Sequence, residues 1–230
     1  MRLSTPVVYR VCRHLVIGPV LYVLGRPEVT GRQYIPRRGP VILAANHLAV
    51  LDSFYLTLAA RRHVAFLAKR EYFDRSGVFG WMQRVFFSAV GQISVDRRGG
   101  NASSLALEAA RSILAYGGAW GIHPEGARSP DGRLYRGRTG AVRVAMDTGA
   151  PLIPVAITGT RPGSRPWWRR RVRIEILEPM ELDDYRADGA LGVRAATDDL
   201  MRTIATRTGQ PLVNSYARQW GLHGERSDAA

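Results

Sequence analysis

A histidine and an aspartate stand five positions apart in the segment Asn46–Ser53, directly after the apolar run Val41–Ala45. A histidine can take a proton from a hydroxyl group near neutral pH, and a carboxylate bonded to its other ring nitrogen fixes the tautomer and stabilises the imidazolium. Residues five apart on a regular helix point about 140° away from each other, so the two side chains can meet only if the histidine precedes the helix. The pattern therefore predicts that His47 is a general base and Asp52 its orienting acid.

Three further blocks follow this segment along the chain: Gly91–Arg97, His123–Ser129 and Leu152–Ile157. In isolation, His47 and Asp52 would also fit a helix-capping carboxylate and a partly buried ring that bonds to backbone groups. The three blocks that accompany them favour a catalytic site instead.

Together the four blocks resemble the glycerolipid acyltransferases of the lysophosphatidate acyltransferase type (1-acyl-sn-glycerol-3-phosphate acyltransferases). The resemblance runs from about Gly31 to Ile157. The family pattern reads Asn-His-x-Ser-x-x-x-Asp, or close to it, and Phe-Pro-Glu-Gly-Thr-Arg-Ser. In this chain Ala49 stands near the expected serine, His123 replaces the phenylalanine and Ala127 replaces the threonine. These departures bear on the identity of the substrate more than on the chemistry.

The resemblance implies transfer of a fatty acyl group from an acyl thioester, on coenzyme A or acyl carrier protein, to a hydroxyl of a lysophospholipid. The acceptor it indicates first is 1-acylglycerol 3-phosphate, in phospholipid synthesis; glycerol 3-phosphate and other lysolipids are the alternatives. His47 would remove the hydroxyl proton during direct attack, Asp52 would hold its ring, and no acyl-enzyme would form. No metal and no cofactor beyond the thioester co-substrate are expected.

The same resemblance assigns the acceptor-binding block to Glu125, Gly126 and Arg128, with Arg97 as a second phosphate ligand. Glycine lets the backbone approach a phosphate closely, and arginine supplies a bidentate, charge-assisted contact. Without the resemblance, Glu125 and Gly126 would fit an ordinary turn, and Arg97 would fit an ion pair with Asp96 or a solvated charge.

Composition limits the partners of the chain. The 230 residues carry 33 Lys plus Arg against 19 Asp plus Glu, a formal charge of +14, and Lys69 is the only lysine. Arginine suits phosphate groups, so phospholipid head groups, a phosphorylated substrate, an acidic carrier protein and nucleic acid are all compatible partners. A single cysteine, Cys12, excludes an internal disulfide and a cysteine-rich metal site.

The stretch from Val7 to Leu24 is apolar but interrupted by arginines, a glycine and a proline. It is not a clean transmembrane span or a signal peptide. We interpret it as an amphipathic membrane-associating segment whose apolar residues, including Val20 and Leu21, enter the acyl region of the bilayer. The alternative is a helix packed on the core of the protein. Paired tryptophans among arginines in Arg161–Arg171 also suit an anionic membrane surface. The predicted location is the cytoplasmic side of the cell membrane, peripheral or monotopic.

Short apolar runs alternate with amphipathic stretches, which predicts a single α/β domain with a central mixed, largely parallel sheet flanked by helices. The predicted boundaries are an N-terminal segment at 1–30, an acyltransferase domain at 31–220 and a flexible tail at 221–230. Strands are predicted at 41–45, 64–68, 91–95, 119–122, 152–157 and 172–177, the last of them an edge or half-exposed strand. Helices are predicted at 50–61, 76–89, 103–116, 139–148 and 190–208.

Three other functions compete with this interpretation. A basic nucleic-acid-binding protein would account for the charge, but it lacks a recognisable motif and leaves His47, Asp52 and Glu125 unexplained, so no nucleic-acid partner is expected. An acyl thioester hydrolase would use the same pair to activate water. A catalytically silent lipid-binding relative is disfavoured because both proposed catalytic side chains are present.

Overall fold

The computed structural model describes residues 18–69, 92–95, 102–161, 163 and 171–217. The strands within these residues are β1 (Glu28–Thr30), β2 (Val41–Ala45), β3 (Val64–Lys69), β4 (Gln92–Val95), β5 (Ala119–Ile122), β6 (Leu134–Tyr135), β7 (Leu152–Thr158), β8 (Arg173–Ile176) and β9 (Leu212–Val213). The α-helices are α1 (Gly18–Gly25), α2 (Asp52–Ala60), α3 (Ala102–Ala115), α4 (Gly140–Thr148) and α5 (Gly189–Thr208).

Seven strands form one sheet in the order β1-β8-β7-β2-β5-β3-β4, and β6 pairs with β9 in a small second sheet. Every pair in the large sheet is parallel except β7 with β8, which is antiparallel. The predicted α/β domain with a mixed, largely parallel sheet is therefore confirmed.

The central position of β2 in the sheet explains why its sequence contains only apolar residues. Successive side chains of a strand point to opposite faces of the sheet. Val41, Leu43 and Ala45 join the core on the side of α1 and α2, whereas Ile42 and Ala44 join the core on the side of α3, α4 and α5. Both faces are covered, so a polar residue at any of the five positions would be buried.

The carboxyl ends of β2, β5 and β7 lie together because the three strands are parallel neighbours. Ala44 stands opposite Ile122 of β5, and Ala45 stands opposite Val155 of β7. The segments that follow β2 and β5 therefore leave the sheet side by side, at the edge where open α/β sheets bind ligands.

The strands predicted at the centre of the sheet and four of the five predicted helices are observed within about two residues. The predicted helix 76–89 and the predicted tail 221–230 lie outside the described residues. The prediction for 172–177 is half right, because β8 has buried Ile174 and Ile176 beside exposed Arg173, yet it lies between β7 and β1 and not at an edge. Strand β1 was not predicted, and it joins the sheet from within the segment 1–30.

Helix α1 packs on the domain with one face and presents apolar residues on another. Leu21 is buried and its carbonyl accepts a hydrogen bond from the Tyr55 hydroxyl at 3.1 Å, so the prediction that Leu21 enters a bilayer is wrong. Val20, Tyr22 and Val23 are each more than half exposed. No helix in the described part of the chain has the length and apolar character needed to cross a membrane.

Candidate active site

His47 lies two residues after β2, in the turn that leads to α2, where the sequence placed it. Its ring Nδ1 is 3.1 Å from Oδ2 of Asp52, and the imidazole retains 18% of its side-chain exposure while the carboxylate is fully buried. Since a carboxylate can only accept, Nδ1 donates the proton of this bond. The other ring nitrogen, Nε2, is left as the atom that can take a proton from a substrate.

The Asp52 carboxylate organises the turn as well as the histidine. Oδ2 also accepts the backbone N–H groups of Leu48 at 2.6 Å and Ala49 at 2.7 Å. Burial acts to raise the pKa of Asp52, but the hydrogen bond from His47, the nearby imidazoles and the Ala49 amide outweigh it, so the pKa lies below its ordinary value. Oδ1 is buried without a hydrogen-bond partner among the described residues. The carboxylate is thus held ionised, with one oxygen fixed by three donors.

Asn46 fixes the end of β2 to the end of β7. Its side-chain carbonyl accepts the Ile157 N–H and its amide donates to the Ile157 carbonyl, both at 2.8 Å. The same amide donates to the side chain of Gln210 at 2.8 Å. The Asn46 side chain is fully buried, where each polar atom needs a hydrogen-bond partner. The backbone that carries His47 is therefore anchored one residue before it.

Glu125 holds the same turn from the loop after β5. Its two carboxylate oxygens accept the backbone N–H of His47 at 2.8 Å and that of Tyr135 at 3.0 Å. Burial raises the pKa of Glu125 to about 7, against the two N–H donors, which lower it. Both carboxylate oxygens accept backbone N–H groups, so Glu125 orders the loop and is not placed to act as a base.

His123 packs directly on the predicted base. Its ring is stacked on that of His47 with centroids 3.9 Å apart and planes within 7° of parallel. Nδ1 lies 3.0 Å from the Ala45 carbonyl and 3.1 Å from that of Asn46, and Nε2 lies 3.0 Å from the Ser53 hydroxyl. Burial lowers the pKa of His123 to about 3, and neighbouring His47 acts in the same direction. The ring is neutral, with its proton on Nδ1.

Arg138 lies against the predicted acceptor-binding turn, and Arg136 lies near the same tyrosine ring as Arg138. Gly126 has a positive φ of 76°, and a Cβ there would lie 2.6 Å from Nε of Arg138, so only glycine fits beneath this guanidinium. The guanidinium carbons of Arg136 and Arg138 lie 5.6 Å and 5.3 Å from the ring centre of Tyr216. Nε of Arg136 is buried without a partner in the described residues. Arg138 thus adjoins the turn as a cation without a carboxylate partner among the described residues.

The structure brings four of the six predicted site residues together: His47, Asp52, Glu125 and Gly126. Arg128 is exposed in the same loop, beside Ser129, whose N–H donates to the His47 carbonyl at 2.8 Å. Arg97 lies outside the described residues. The N–H of Gly126 donates to the His123 carbonyl at 3.0 Å, so it is not free to bind an oxyanion.

Sequence reasoning did not assign roles to His123, Asn46, Arg136 and Arg138. The polar Asn46 between a fully apolar strand and a candidate base could have indicated that its side chain anchors the strand end. The histidine in place of the family's phenylalanine could have indicated a role for His123. No group of histidine, cysteine and acidic side chains suited to a metal ion occurs among the described residues.

Comparisons with known proteins find a family model and related sequences. The acyltransferase family model matches residues 26–158, more than half of the chain. The 1-acyl-sn-glycerol-3-phosphate acyltransferase of Limnanthes alba is 28% identical over 185 residues, which are 76% of this chain and 62% of that protein. The alpha form of the same enzyme from Ovis aries is 25% identical over 200 residues, 84% of this chain and 66% of that protein. The chain thus spans slightly less than two thirds of the length of these relatives.

A solved structure has the same fold. The crystal structure of the 1-acyl-sn-glycerophosphate (LPA) acyltransferase PlsC from Thermotoga maritima superimposes with a TM-score of 0.61. The superposition covers 88% of this chain and 79% of the Thermotoga maritima chain, at 23% sequence identity. At that identity the likeness concerns the fold.

Proposed function

This chain belongs to the acyltransferase family, and we propose that it transfers a fatty acyl group from an acyl thioester to the hydroxyl of a lysophospholipid. The preferred acceptor is 1-acylglycerol 3-phosphate, which is the substrate named for the curated relatives. The donor is acyl-CoA or acyl carrier protein, and the product belongs to phospholipid synthesis. The observation that carries the proposal is the bond between His47 Nδ1 and buried Asp52, beside a loop whose Gly126 lies under Arg138, a cation without a carboxylate partner among the described residues.

The chemistry requires one proton transfer in each direction. Nε2 of His47 takes the proton of the acceptor hydroxyl as its oxygen attacks the thioester carbonyl carbon, and Asp52 stabilises the imidazolium that forms. The tetrahedral intermediate collapses with cleavage of the carbon–sulfur bond. The leaving thiolate recovers the proton from the imidazolium, so the free thiol and the ester leave a neutral His47. No covalent acyl-enzyme is involved.

The anionic acceptor is held by guanidinium groups around Gly126. Arg128 was assigned to this role with Arg97, and Arg138 lies against the same turn without a carboxylate partner in the described residues. Eight of the 19 arginines in the described residues pair with an acidic side chain: Arg111, Arg133, Arg171, Arg173, Arg186, Arg194, Arg202 and Arg207. Unpaired guanidinium groups retain their full charge for a phosphate.

The enzyme works at a membrane surface, peripheral or monotopic on the cytoplasmic side. Its lipid acceptor resides there, the formal charge of +14 favours anionic lipid, and α1 presents Val20, Tyr22 and Val23 to the outside of the domain. The segment before α1 and the tryptophan pair at 167–168 were assigned to the same surface and lie outside the described residues.

The test is an acyl-transfer assay with purified protein, labelled acyl-CoA or acyl carrier protein, and a panel of lysolipids and glycerol 3-phosphate. We expect acceptor-dependent transfer that is nearly abolished in His47→Ala. The control is His63→Gln, since His63 precedes β3 at the opposite edge of the sheet, and it should retain activity. Transfer that survives in His47→Ala would remove His47 from the mechanism, and thioester consumption without any acceptor would indicate a hydrolase.

A further inference from the structure

The ring of His123 has no role in the proton transfers described for His47, yet it covers one whole face of that imidazole. The centroid distance of 3.9 Å is a van der Waals contact over the full ring area, and the 7° angle leaves the two planes almost parallel. A ring stacked in this way opposes rotation of the His47 side chain, because rotation would drive the edge of one imidazole into the face of the other. The stack therefore acts on the orientation that brings Nδ1 to Asp52.

His123 is itself fixed more firmly than the ring it supports. Its Nδ1 proton is shared between the carbonyls of Ala45 and Asn46, the last two backbone groups before His47, and its Nε2 accepts the hydroxyl proton of Ser53 on α2. Both ring nitrogens are thus occupied by groups from two different elements. The anchor for His47 comes from the strand that precedes it and the helix that follows it.

The charges around the pair explain why the second ring has to remain uncharged. His47 is faced by Asp52 from α2, by His123 from the end of β5, and, at its backbone, by Glu125. One carboxylate at 3.1 Å can stabilise one imidazolium, and a second cation stacked at 3.9 Å would oppose it. A neutral aromatic face beside a forming cation is instead favourable.

We propose that His123 is a positioning residue, a neutral ring that holds His47 against Asp52 by stacking and stays neutral while His47 carries the acceptor proton. The proposal rests on the proposed function, in which His47 is the base. The phenylalanine of the family pattern can supply the stacking face at this position but not the bonds to Ala45, Asn46 and Ser53. In this chain the histidine therefore combines the stack with an anchor on the strand end.

The kinetic test compares three replacements at one position. His123→Phe keeps an aromatic face, and we expect kcat within about threefold of the wild type. His123→Leu fills a similar volume without a ring and should lower kcat about tenfold or more, because a small misplacement of a catalytic group is costly. KM for either substrate should change little in both variants. Ser53→Ala removes only the hydroxyl bond and serves as a matched control that keeps the stack.

Two results would overturn the positioning role. Equal losses in His123→Phe and His123→Leu, at equal thermal stability, would mean that the aromatic face is not required. Loss of the acid limb of the kcat/KM pH profile in His123→Phe would mean that His123 itself titrates during turnover, whereas we expect the limb to persist.

A measurement that does not depend on acyl transfer separates this proposal from the proposed function. In protein labelled with ¹⁵N-histidine, signals absent from His123→Phe identify the His123 ring. We expect these signals to report a neutral ring with its proton on Nδ1 from about pH 5 to pH 8. A ring that protonates within this range would refute the positioning proposal even if the enzyme is active. A neutral ring in a protein without transferase activity would instead refute the proposed reaction and leave the proposed geometry of His123 correct.

Discussion

Replacing Asp52 with asparagine would remove a charge and leave the turn intact. The backbone N–H groups of Leu48 and Ala49 both point at Oδ2, together with Nδ1 of His47. In Asp52→Asn these two fixed donors select the amide oxygen for the same place, so the oxygen still accepts from Nδ1 and the tautomer of His47 is preserved. The amide nitrogen would take the position of Oδ1, a buried atom without a partner among the described residues.

The lost interaction can be estimated from the geometry. At the 3.1 Å separation of His47 and Asp52, an imidazolium and a carboxylate attract each other by roughly 5 kcal/mol at an effective dielectric constant of about 20. The dipole of the amide oxygen and local relaxation would recover part of this energy. We therefore expect kcat/KM to fall by about a hundredfold to a thousandfold, since each tenfold corresponds to about 1.4 kcal/mol.

Thermal unfolding distinguishes this effect from damage to the fold. Asp52→Ala leaves the Leu48 and Ala49 amides without their acceptor, at a cost of about 1–3 kcal/mol for each buried donor, whereas Asp52→Asn keeps that acceptor and should lose less stability than Asp52→Ala. Because the pKa of Asp52 is lowered in the folded state, the carboxylate contributes stability above its unfolded pKa and loses it as the pH falls through the folded pKa. The stability difference between wild type and Asp52→Asn should narrow in acid. A folded Asp52→Asn with kcat/KM within about threefold of the wild type would refute the role of the charge.

Two further substitutions test the loop after β5. Arg138→Gln should raise KM for 1-acylglycerol 3-phosphate by about tenfold or more, because the acceptor phosphate would lose a charge-assisted hydrogen bond. KM for the thioester should stay unchanged. Arg143→Gln, on an exposed position of α4, is its control, and equal effects of the two would indicate general surface charge. Glu125 has a folded pKa of about 7, above its ordinary value of 4.5, so the free energy of unfolding should fall as the pH rises between these values. Glu125→Gln should flatten this pH dependence, measured by denaturant unfolding at several pH values, and an unchanged dependence would contradict the raised pKa. The variant should also lower kcat, because the oxygen of its amide can accept only one of the two backbone N–H groups.

The sequence predicted the central strands and the contact between His47 and Asp52 because both depend on local patterns. An apolar run such as Val41–Ala45 can only be buried on both faces, and a histidine directly after it must emerge at a strand end. The five-residue spacing to Asp52 required a turn before the helix, and the structure has that turn.

The contacts of His123 and Asn46 depend on strand order, which no local pattern encodes. Strand β5 lies between β2 and β3 although 49 residues separate the end of β3 at Lys69 from the start of β5 at Ala119. Only this crossover places His123 on His47. Likewise the bonds between Asn46 and Ile157 exist because β7 pairs with β2 from the other side. The three-residue strand β1 was too short to give a periodic signal.

Backbone hydrogen bonds connect His47, the proposed base, to the loop proposed to bind the acceptor. Glu125 accepts the N–H of His47, and the Ser129 N–H donates to the His47 carbonyl. The loop from Glu125 to Ser129 therefore binds both backbone polar groups of His47. Gly126 and Arg128, assigned to acceptor binding, lie between those two attachments. A displacement of the loop by the acceptor phosphate must therefore move the base as well, or be resisted by it. It follows that substitutions in this loop should change kcat together with KM, unlike substitutions of a phosphate ligand on an element without a bond to His47.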